Sequence, residues 1–316
     1  MNCKILFVLS LHVSTLCAIH AQTGKIPTLK GKYLGQKPPG MDAVLFAKGI
    51  VSTDSIEHSA PAFSPDGNTV LWTKIYTGKP AFLVEMKKKN GVWTQPAIPS
   101  FGSSGADDFY PAFSVDGSRL YFSSRRPLPP GYPKNEDMWI WVVEKKMDGW
   151  GTPLPLDSTI MKGFEYAHSA SKKGNIYFSS RRPGAETFDI FSAEWINNQY
   201  QRPKPLGDGI NTSGYEDGPF IAPDESYLIF ESQRPESIEG SIDLFICFKQ
   251  KDGSWSHPKN MGPKINTKYS ERFAMVSPDG KYLFFGSNRG QPSDNLYFDI
   301  YWIDARIINE LRRDQQ

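Results

Sequence analysis

The sequence predicts an all-β fold, a single β-propeller of four-stranded blades. The main observation is a segment that occurs five times, in which a short apolar strand enters a tight turn and continues into an aromatic strand. The turn position recurs every 50 to 57 residues, at Asp66, Asp116, Lys173, Asp224 and Asp279. A repeat of this length in strand-rich sequence is typical of sheets arranged around an axis. The second observation is that the last copy ends after its third strand, while an N-terminal segment resembles the linker in which the fourth strand of another copy lies.

The N-terminus is predicted to be a secretory signal peptide. Lys4 precedes an interrupted apolar run over residues 5–18, and a cleavage site follows Ala21. The run is too short to span a bilayer comfortably, so we expect residues 1–21 to be removed and the protein to be periplasmic or secreted. A lipoprotein attached at Cys17 is the less favoured alternative, because Ser14, Thr15 and Leu16 do not have the usual leucine-first order of a lipobox. Cleavage after Ala21 removes Cys3 and Cys17. The remaining Cys247 lies in an apolar run and is expected to be a buried small hydrophobic residue.

Each repeat divides into four strands. The strand after the turn is rich in aromatic and β-branched residues, as suits a pleated surface. A loop of variable length follows, and the third strand opens with aspartate in four copies. A hairpin marked by glycine and tryptophan, such as Gly149 and Trp150, joins the third strand to the fourth. The repeats therefore predict four-stranded antiparallel blades.

The N-terminal part of the mature chain is predicted to close the ring. Residues 46–52 resemble the linker 206–212, which leads from one copy into the next, whereas the last copy ends after its third strand. The N-terminal segment thus supplies the missing fourth strand of the last blade. We predict an extension over 22–42, a propeller over 43–304 and a tail over 305–316. Five blades are favoured, and a sixth within residues 22–55 is left open.

The repeat resembles the TolB-type, WD40-like propeller repeats of bacterial periplasmic proteins. The resemblance rests on strand-Ser-Pro-Asp-Gly-strand, followed by Phe-x-Ser-x-Arg-Pro and Asp-Ile-Phe or Asp-Ile-Tyr, and it covers roughly residues 43–304. TolB has six blades behind a separate N-terminal domain, for which this chain has no room. The resemblance implies a periplasmic propeller that binds a partner, but it does not identify the partner.

Composition and motifs exclude several function classes. The chain has 316 residues and a net charge of +2, with both signs interspersed, which gives no electrostatic case for binding nucleic acid. A Gly-rich phosphate loop, a Gly-x-Ser-x-Gly elbow, a His-Glu-x-x-His motif and a cysteine cluster are all missing from the sequence. We expect no transmembrane segment, and a monomer.

A recurring arginine is interpreted as structural. It ends the second strand in four copies, at Arg126, Arg182, Arg234 and Arg289. The aspartates that open the third strands, Asp137, Asp189, Asp243 and Asp299, are its expected partners. Copy 1 lacks both partners, since Tyr76 stands at the arginine position. Identical placement in four blades favours a tie within each blade over an anion site.

A column of ionisable residues is the candidate ligand site. Eight positions before the turn stand His58, Asp108, Glu165, Glu216 and Glu271, with Arg272 beside the last. Innermost propeller strands line the central channel, so these side chains are expected to face one another at its mouth. Such an acidic ring suits a divalent cation such as calcium, an amine or a sugar. The alternatives are a solvated ring without a ligand and acids that accept backbone hydrogen bonds between blades.

Three function classes follow. The favoured one is a noncatalytic binding or scaffold module that engages an envelope protein or a glycan through its loop face or its acidic channel mouth. The second is a glycosidase-type enzyme, which needs two of the four acids about 5–10 Å apart in opposite protonation states. The third is a structural spacer. No cofactor other than the candidate cation is expected.

Overall fold

The computed structural model describes residues 26–103, 105–130, 132, 137–207, 209–290 and 297–313. The predicted signal peptide lies outside the described residues. Within them the chain forms five antiparallel sheets arranged as the blades of a propeller, so the prediction of an all-β, five-bladed fold is confirmed. No helix of the described residues is long and apolar enough to cross a membrane.

The strands follow the repeats along the chain. Before the first repeat come a 3₁₀ turn, Tyr33–Gly35, and strand β1 (Val44–Leu45). Blade 1 contains β2 (Ile56–Glu57), β3 (Ala62–Phe63), β4 (Thr69–Ile75), β5 (Phe82–Lys89) and β6 (Val92–Trp93). Blade 2 contains β7 (Asp108–Phe113), β8 (Arg119–Ser124), β9 (Trp139–Lys146), β10 (Gly149–Trp150) and β11 (Leu154–Pro155).

Blades 3 to 5 repeat the arrangement. Blade 3 contains β12 (Phe164–Ala170), β13 (Ile176–Arg181), β14 (Asp189–Ala193), the hairpin β15 (Trp195–Ile196) and β16 (Gln199–Tyr200), and β17 (Lys204–Pro205). Blade 4 contains β18 (Glu216–Ile221), β19 (Tyr227–Ser232), the 3₁₀ turn Ile238–Gly240, β20 (Asp243–Phe248) and β21 (Lys259–Asn260). Blade 5 contains β22 (Glu271–Val276), β23 (Tyr282–Ser287) and β24 (Asp299–Asp304), and α1 (Arg306–Arg313) follows.

The second strand of each blade is apolar on both faces because neighbouring blades cover it on both sides. Phe122, Phe178 and Phe230 lie at equivalent positions of β8, β13 and β19 and are fully buried. The core is divided into clusters that each join adjacent blades, such as one that contains Ile246 of blade 4 and Leu283 of blade 5. Cys247 is also fully buried, as expected.

The turns between first and second strands have the predicted chemistry. In blade 2 the Ser114 hydroxyl donates to Asp116 (2.6 Å), and the same carboxylate accepts from the backbone N–H of Ser118 (3.0 Å). Gly117 has φ +70°, a conformation that glycine adopts without strain. These side chains stabilise the turn.

The ring closes through the N-terminal strand, as predicted. Strand β1 pairs antiparallel with β24, with Val44 opposite Trp302 and Leu45 opposite Tyr301. The backbone N–H of Phe46 continues the ladder to the carbonyl of Ile300 (2.7 Å). Blade 5 is therefore composite, and its outer strand, β1, comes from the N-terminal part of the chain.

Candidate functional site

The four carboxylates predicted at the channel mouth are fully buried at the start of the innermost strands. Each binds the recurring arginine of its own blade. The nitrogen–oxygen distances are 2.8 Å for Arg126–Asp108, 3.2 Å for Arg182–Glu165, 3.3 Å for Arg234–Glu216 and 3.2 Å for Arg289–Glu271. The expectation that these acids face one another across an open mouth is therefore corrected, because their arginine partners hold them inside the blades.

Blade 4 shows how the pair is fixed. Glu216 also accepts from the Ser232 hydroxyl (2.9 Å) and from the backbone N–H of Thr212 (2.9 Å). Arg234 donates to the carbonyl of Ile210 (2.7 Å). Since Ile210 and Thr212 belong to the linker from blade 3, the pair fastens one blade to the next. The alternative that the acids accept hydrogen bonds between blades describes this geometry.

The expected partnership between the arginines and the third-strand aspartates is wrong in blade 4. Asp243 accepts from the backbone N–H of Ile238 (2.8 Å), the Ser241 hydroxyl (2.7 Å) and the Asn260 amide (2.6 Å). It thereby orders the loop before its own strand, while Arg234 binds Glu216. The physical reason is that a buried carboxylate is costly unless its charge is compensated. Arg234 compensates the charge of Glu216, whereas Asp243 already receives hydrogen bonds from three neutral donors.

Blade 1 departs from this pattern, and its buried acid is Glu57 instead of the predicted His58. Glu57 lies opposite Lys74 on the second strand. At the equivalent position of blade 2, Asp108 lies opposite Ser124. Blade 1 has one more residue between this acid and its turn, so counting back from the turn reaches His58.

Glu57 lacks the arginine that the other blades supply. It accepts from the hydroxyls of Thr53 (2.8 Å) and Ser55 (3.2 Å), and its buried Oε2 has no hydrogen-bond partner within the described part of the chain. Tyr76, half exposed to solvent, stands at the arginine position. Burial raises the pKa of Glu57 to about 8.

Glu57→Gln is expected to stabilise the protein at alkaline pH. Because the folded-state pKa of Glu57 lies above its ordinary value of 4.5, only the unfolded chain releases this proton at intermediate pH, and stability falls as the pH rises from 4.5 to about 8. Glutamine removes that loss, so we expect a gain of about 1–3 kcal/mol at pH 8 and little change at pH 4.5. Urea unfolding at pH 4.5 and at pH 8 measures the change in the free energy of unfolding. Equal stability of variant and native protein at pH 8 would contradict this account.

The side chains that do surround the mouth follow the buried acids by one position in each innermost strand. They are His58, Phe109, Tyr166, Asp217 and Arg272. Burial, together with the nearby Arg272 charge, lowers the pKa of His58 to about 3, so its imidazole is neutral at physiological pH. Of the predicted site residues, His58 and Arg272 therefore lie at the mouth, and the four acids lie behind it.

Aromatic rings form a continuous wall around this mouth. Neighbouring ring centroids are 5.5 Å apart for His58–Phe109, 5.7 Å for Phe109–Tyr110, 5.4 Å for Tyr110–Tyr166, 4.9 Å for Tyr166–Phe188, 6.4 Å for Phe188–Tyr215 and 4.8 Å for Phe273–His58. The Arg272 guanidinium lies over the rings of Tyr215 (5.6 Å) and Phe273 (4.8 Å) and so completes the circuit. We call the seven rings the aromatic wall: His58, Phe109, Tyr110, Tyr166, Phe188, Tyr215 and Phe273.

Arg272 also holds two buried carboxylates on one side of the wall. It donates to Glu231, to the Tyr215 hydroxyl and to Asp217, the last at 3.2 Å. Asp217 accepts from the hydroxyls of Tyr166 and Tyr215 as well. We call these five residues the Arg272 cluster. Its two acids have their charges balanced largely by one guanidinium.

Sequence reasoning missed Glu231, since the other blades place Thr73, Ser123, Ser179 and Gly286 at its position. Its only signal was that departure from the repeat. The carboxylate fits because residue 218 is glycine, with φ +58°. A Cβ there would lie 2.2 Å from the Glu231 carboxylate.

Two further arginines lie at the rim of the mouth. Arg125 lies over the ring of Phe164 (5.4 Å), and Arg181 lies over Phe164 (5.7 Å) and Phe188 (5.4 Å). With the aromatic wall they enclose a pocket of about 450 Å³. The mouth is thus aromatic and cationic at its surface, which corrects the expectation of an acidic one.

Behind the pocket the channel is narrow. A cavity of about 40 Å³ lies between residues such as Tyr110, His168 and Phe273. The opposite face has a separate apolar pocket of about 190 Å³ beside the turns of Pro65, Pro223 and Pro278. A ligand at the aromatic mouth is therefore approached from one side only.

Among the described residues no three or more His, Cys, Asp or Glu side chains are grouped to hold a metal ion, and the divalent cation stays a prediction.

Comparison with known proteins supports the architecture. A solved structure of a putative TolB from Agrobacterium tumefaciens is 20% identical, with 80% of this chain and 78% of that chain covered and a TM-score of 0.51. A solved structure described as a glycoside hydrolase is 11% identical, with 85% and 92% covered and a TM-score of 0.53. No model of a known protein family matches the chain, and no curated protein matches it. At these identities the likeness shows the fold, a TolB-like β-propeller.

Proposed function

We propose that this protein is a noncatalytic binding protein that holds a glycan in the channel mouth, and that it works in the periplasm or after secretion. The aromatic wall is the observation that carries the proposal. Phe109, Phe188 and Tyr215 line the pocket and are only partly buried. Partly exposed rings around a one-sided pocket are suited to stacking against the apolar faces of sugar rings.

The location is proposed on the N-terminal sequence. Lys4, the apolar run and Ala21 have the order of a cleaved signal. Strand β1 lies beyond the expected cleavage site, so the ring still closes in the mature chain. Cys247 is buried, which leaves the mature protein without an exposed thiol in its described part.

The state of the acids favours binding over glycoside hydrolysis. A glycosidase needs one carboxylic acid and one carboxylate that both reach the sugar. Asp217 and Glu231 are fully buried and are bound to Arg272, which lines the pocket. The four acids predicted for catalysis are bound to the arginines of their blades. The pocket therefore has surfaces for holding a sugar and no acid of this group that is free to transfer a proton to it.

Phe188→Ala is expected to weaken glycan binding by about 10- to 100-fold, because a half-buried ring that stacks on a sugar contributes about 1.5–3 kcal/mol. The measurement is isothermal titration of the mature chain with oligosaccharides selected by a thermal-shift screen. Tyr76→Ala is the matched control, since Tyr76 is an exposed ring near the end of β4 that does not line the pocket. If Phe188→Ala folds and binds as tightly as native protein, the site is elsewhere.

A further inference from the structure

The two arginines of each Arg-Arg pair have different tasks. The second arginine, Arg126 in blade 2 and Arg182 in blade 3, binds the buried acid of its blade and recurs in blades 4 and 5. The first is arginine only in blades 2 and 3, where Arg125 and Arg181 reach the rim of the mouth. Blades 4 and 5 have Gln233 and Asn288 there. Since the fold does not require a cation at this position, the two arginines need another explanation.

Phe164 and Phe188 hold the Arg181 guanidinium in place. It lies 5.7 Å from the Phe164 ring centre and 5.4 Å from that of Phe188, on an exposed side chain. Arg125 lies over Phe164 as well, at 5.4 Å. Stacking leaves the edge of a guanidinium, with its N–H donors, directed away from the ring faces. Two such forks therefore stand on one side of the pocket.

The charges around the pocket leave Arg181 uncompensated. Asp107 forms an ion pair with Arg125 (3.7 Å). Asp217 and Glu231 are bound to Arg272. Among the described residues the Arg181 side chain forms no ion pair with a carboxylate, and its guanidinium lies over two phenylalanine rings. An anion beside Phe188 would meet a preorganised donor whose charge is not already neutralised.

We propose that the glycan bound at the mouth is acidic and that Arg181, assisted by Arg125, binds its anionic group while Phe188 stacks on the sugar ring. This inference rests on the proposed glycan-binding function. The anion is a carboxylate or a phosphate ester, because a guanidinium fork donates two parallel hydrogen bonds to either. Arg181 is then the residue that sets specificity for acidic over neutral sugars.

The test compares glucuronic acid, glucose and glucose 6-phosphate by isothermal titration with the mature chain at low ionic strength. The native protein is expected to bind at least one acidic sugar tenfold or more tightly than glucose. Arg181→Met should remove that preference by weakening the binding of the acidic sugar more strongly than that of glucose, and Arg181→Lys should retain part of it. Tighter binding of glucuronic acid identifies a carboxylate as the anion, and tighter binding of glucose 6-phosphate identifies a phosphate.

The matched control is Arg119→Met. Arg119 also stacks on an aromatic ring, that of Trp195 (5.3 Å), but lies outside the mouth.

Binding of all three sugars with equal affinity, weakened by Phe188→Ala, would overturn the acidic specificity and keep the glycan site. An acidic preference that survives in a folded Arg181→Met variant would overturn the role of Arg181. Failure of all three sugars and of the oligosaccharide screen to bind would overturn the proposed function itself.

Discussion

Replacing Arg272 by methionine is expected to lower the free energy of unfolding by about 3–5 kcal/mol, because the variant leaves two buried carboxylates without their shared cation. Asp217 and Glu231 are both fully buried, and Arg272 contacts both. Methionine keeps much of the apolar stem of the side chain, so the loss of stability reports the missing charge and not missing packing. Urea unfolding followed by tryptophan fluorescence measures it.

The penalty is also expected to depend on pH. Burial raises the pKa of Glu231 above its ordinary value even with Arg272 in place. At pH 5 the Glu231 carboxyl therefore carries a proton more often than at pH 8, and loss of Arg272 leaves less negative charge uncompensated. The Arg272→Met variant should thus be destabilised more strongly at pH 8 than at pH 5.

Two controls make the result specific. Lys264→Met breaks an exposed ion pair with Glu310 (3.5 Å) and should change stability by less than about 1 kcal/mol. The double variant Arg272→Met with Glu231→Gln should recover part of the loss, because one of the two stranded charges is gone. A single variant that unfolds like native protein at pH 8 would show that Arg272 does not balance these acids.

The repeat alone was enough to predict the architecture. Each copy has its turn and its aromatic second strand at matching positions, and four of the five open the third strand with aspartate, so local patterns agreed with one fold. The missing fourth strand of the last copy predicted the pairing of β1 with β24. Buried arginine–acid pairs could have been found as well, since arginine and acid recur 17 or 18 residues apart in four blades.

The candidate site was harder to predict because it depends on departures from the repeat. Alignment on the turn selected His58 instead of Glu57, since an added residue in blade 1 moves the register without changing the residue types nearby. Glu231 has no counterpart in other blades, and the aromatic wall combines residues from separate strands and loops. Sequence periodicity reports the positions that blades share, whereas the candidate site at the axis is built from positions that differ between blades.

Replacing Phe46 by alanine is expected to destabilise the protein by about 3–5 kcal/mol, the usual range for truncating a fully buried phenylalanine. Phe46 directly follows β1, and its ring centre lies 5.0 Å from those of both Phe284 and Trp302 of blade 5. It also lies 6.2 Å from the ring centre of Phe63 in blade 1. The residue therefore joins the first and last blades, and its truncation should weaken ring closure itself.

Weaker ring closure is expected to promote association between copies, in addition to the stability lost through the cavity that Phe46→Ala leaves. If β1 detaches, β24 exposes an unpaired strand edge, which favours association between copies. We therefore expect Phe46→Ala to show concentration-dependent light scattering during thermal unfolding, in addition to a lower urea midpoint. Val44→Ala is the matched control, because Val44 lies two residues away in β1 but is 44% exposed, and its truncation should change stability by less than about 0.5 kcal/mol. Equal losses for the two variants would mean that the contact at Phe46 does not hold the ring closed.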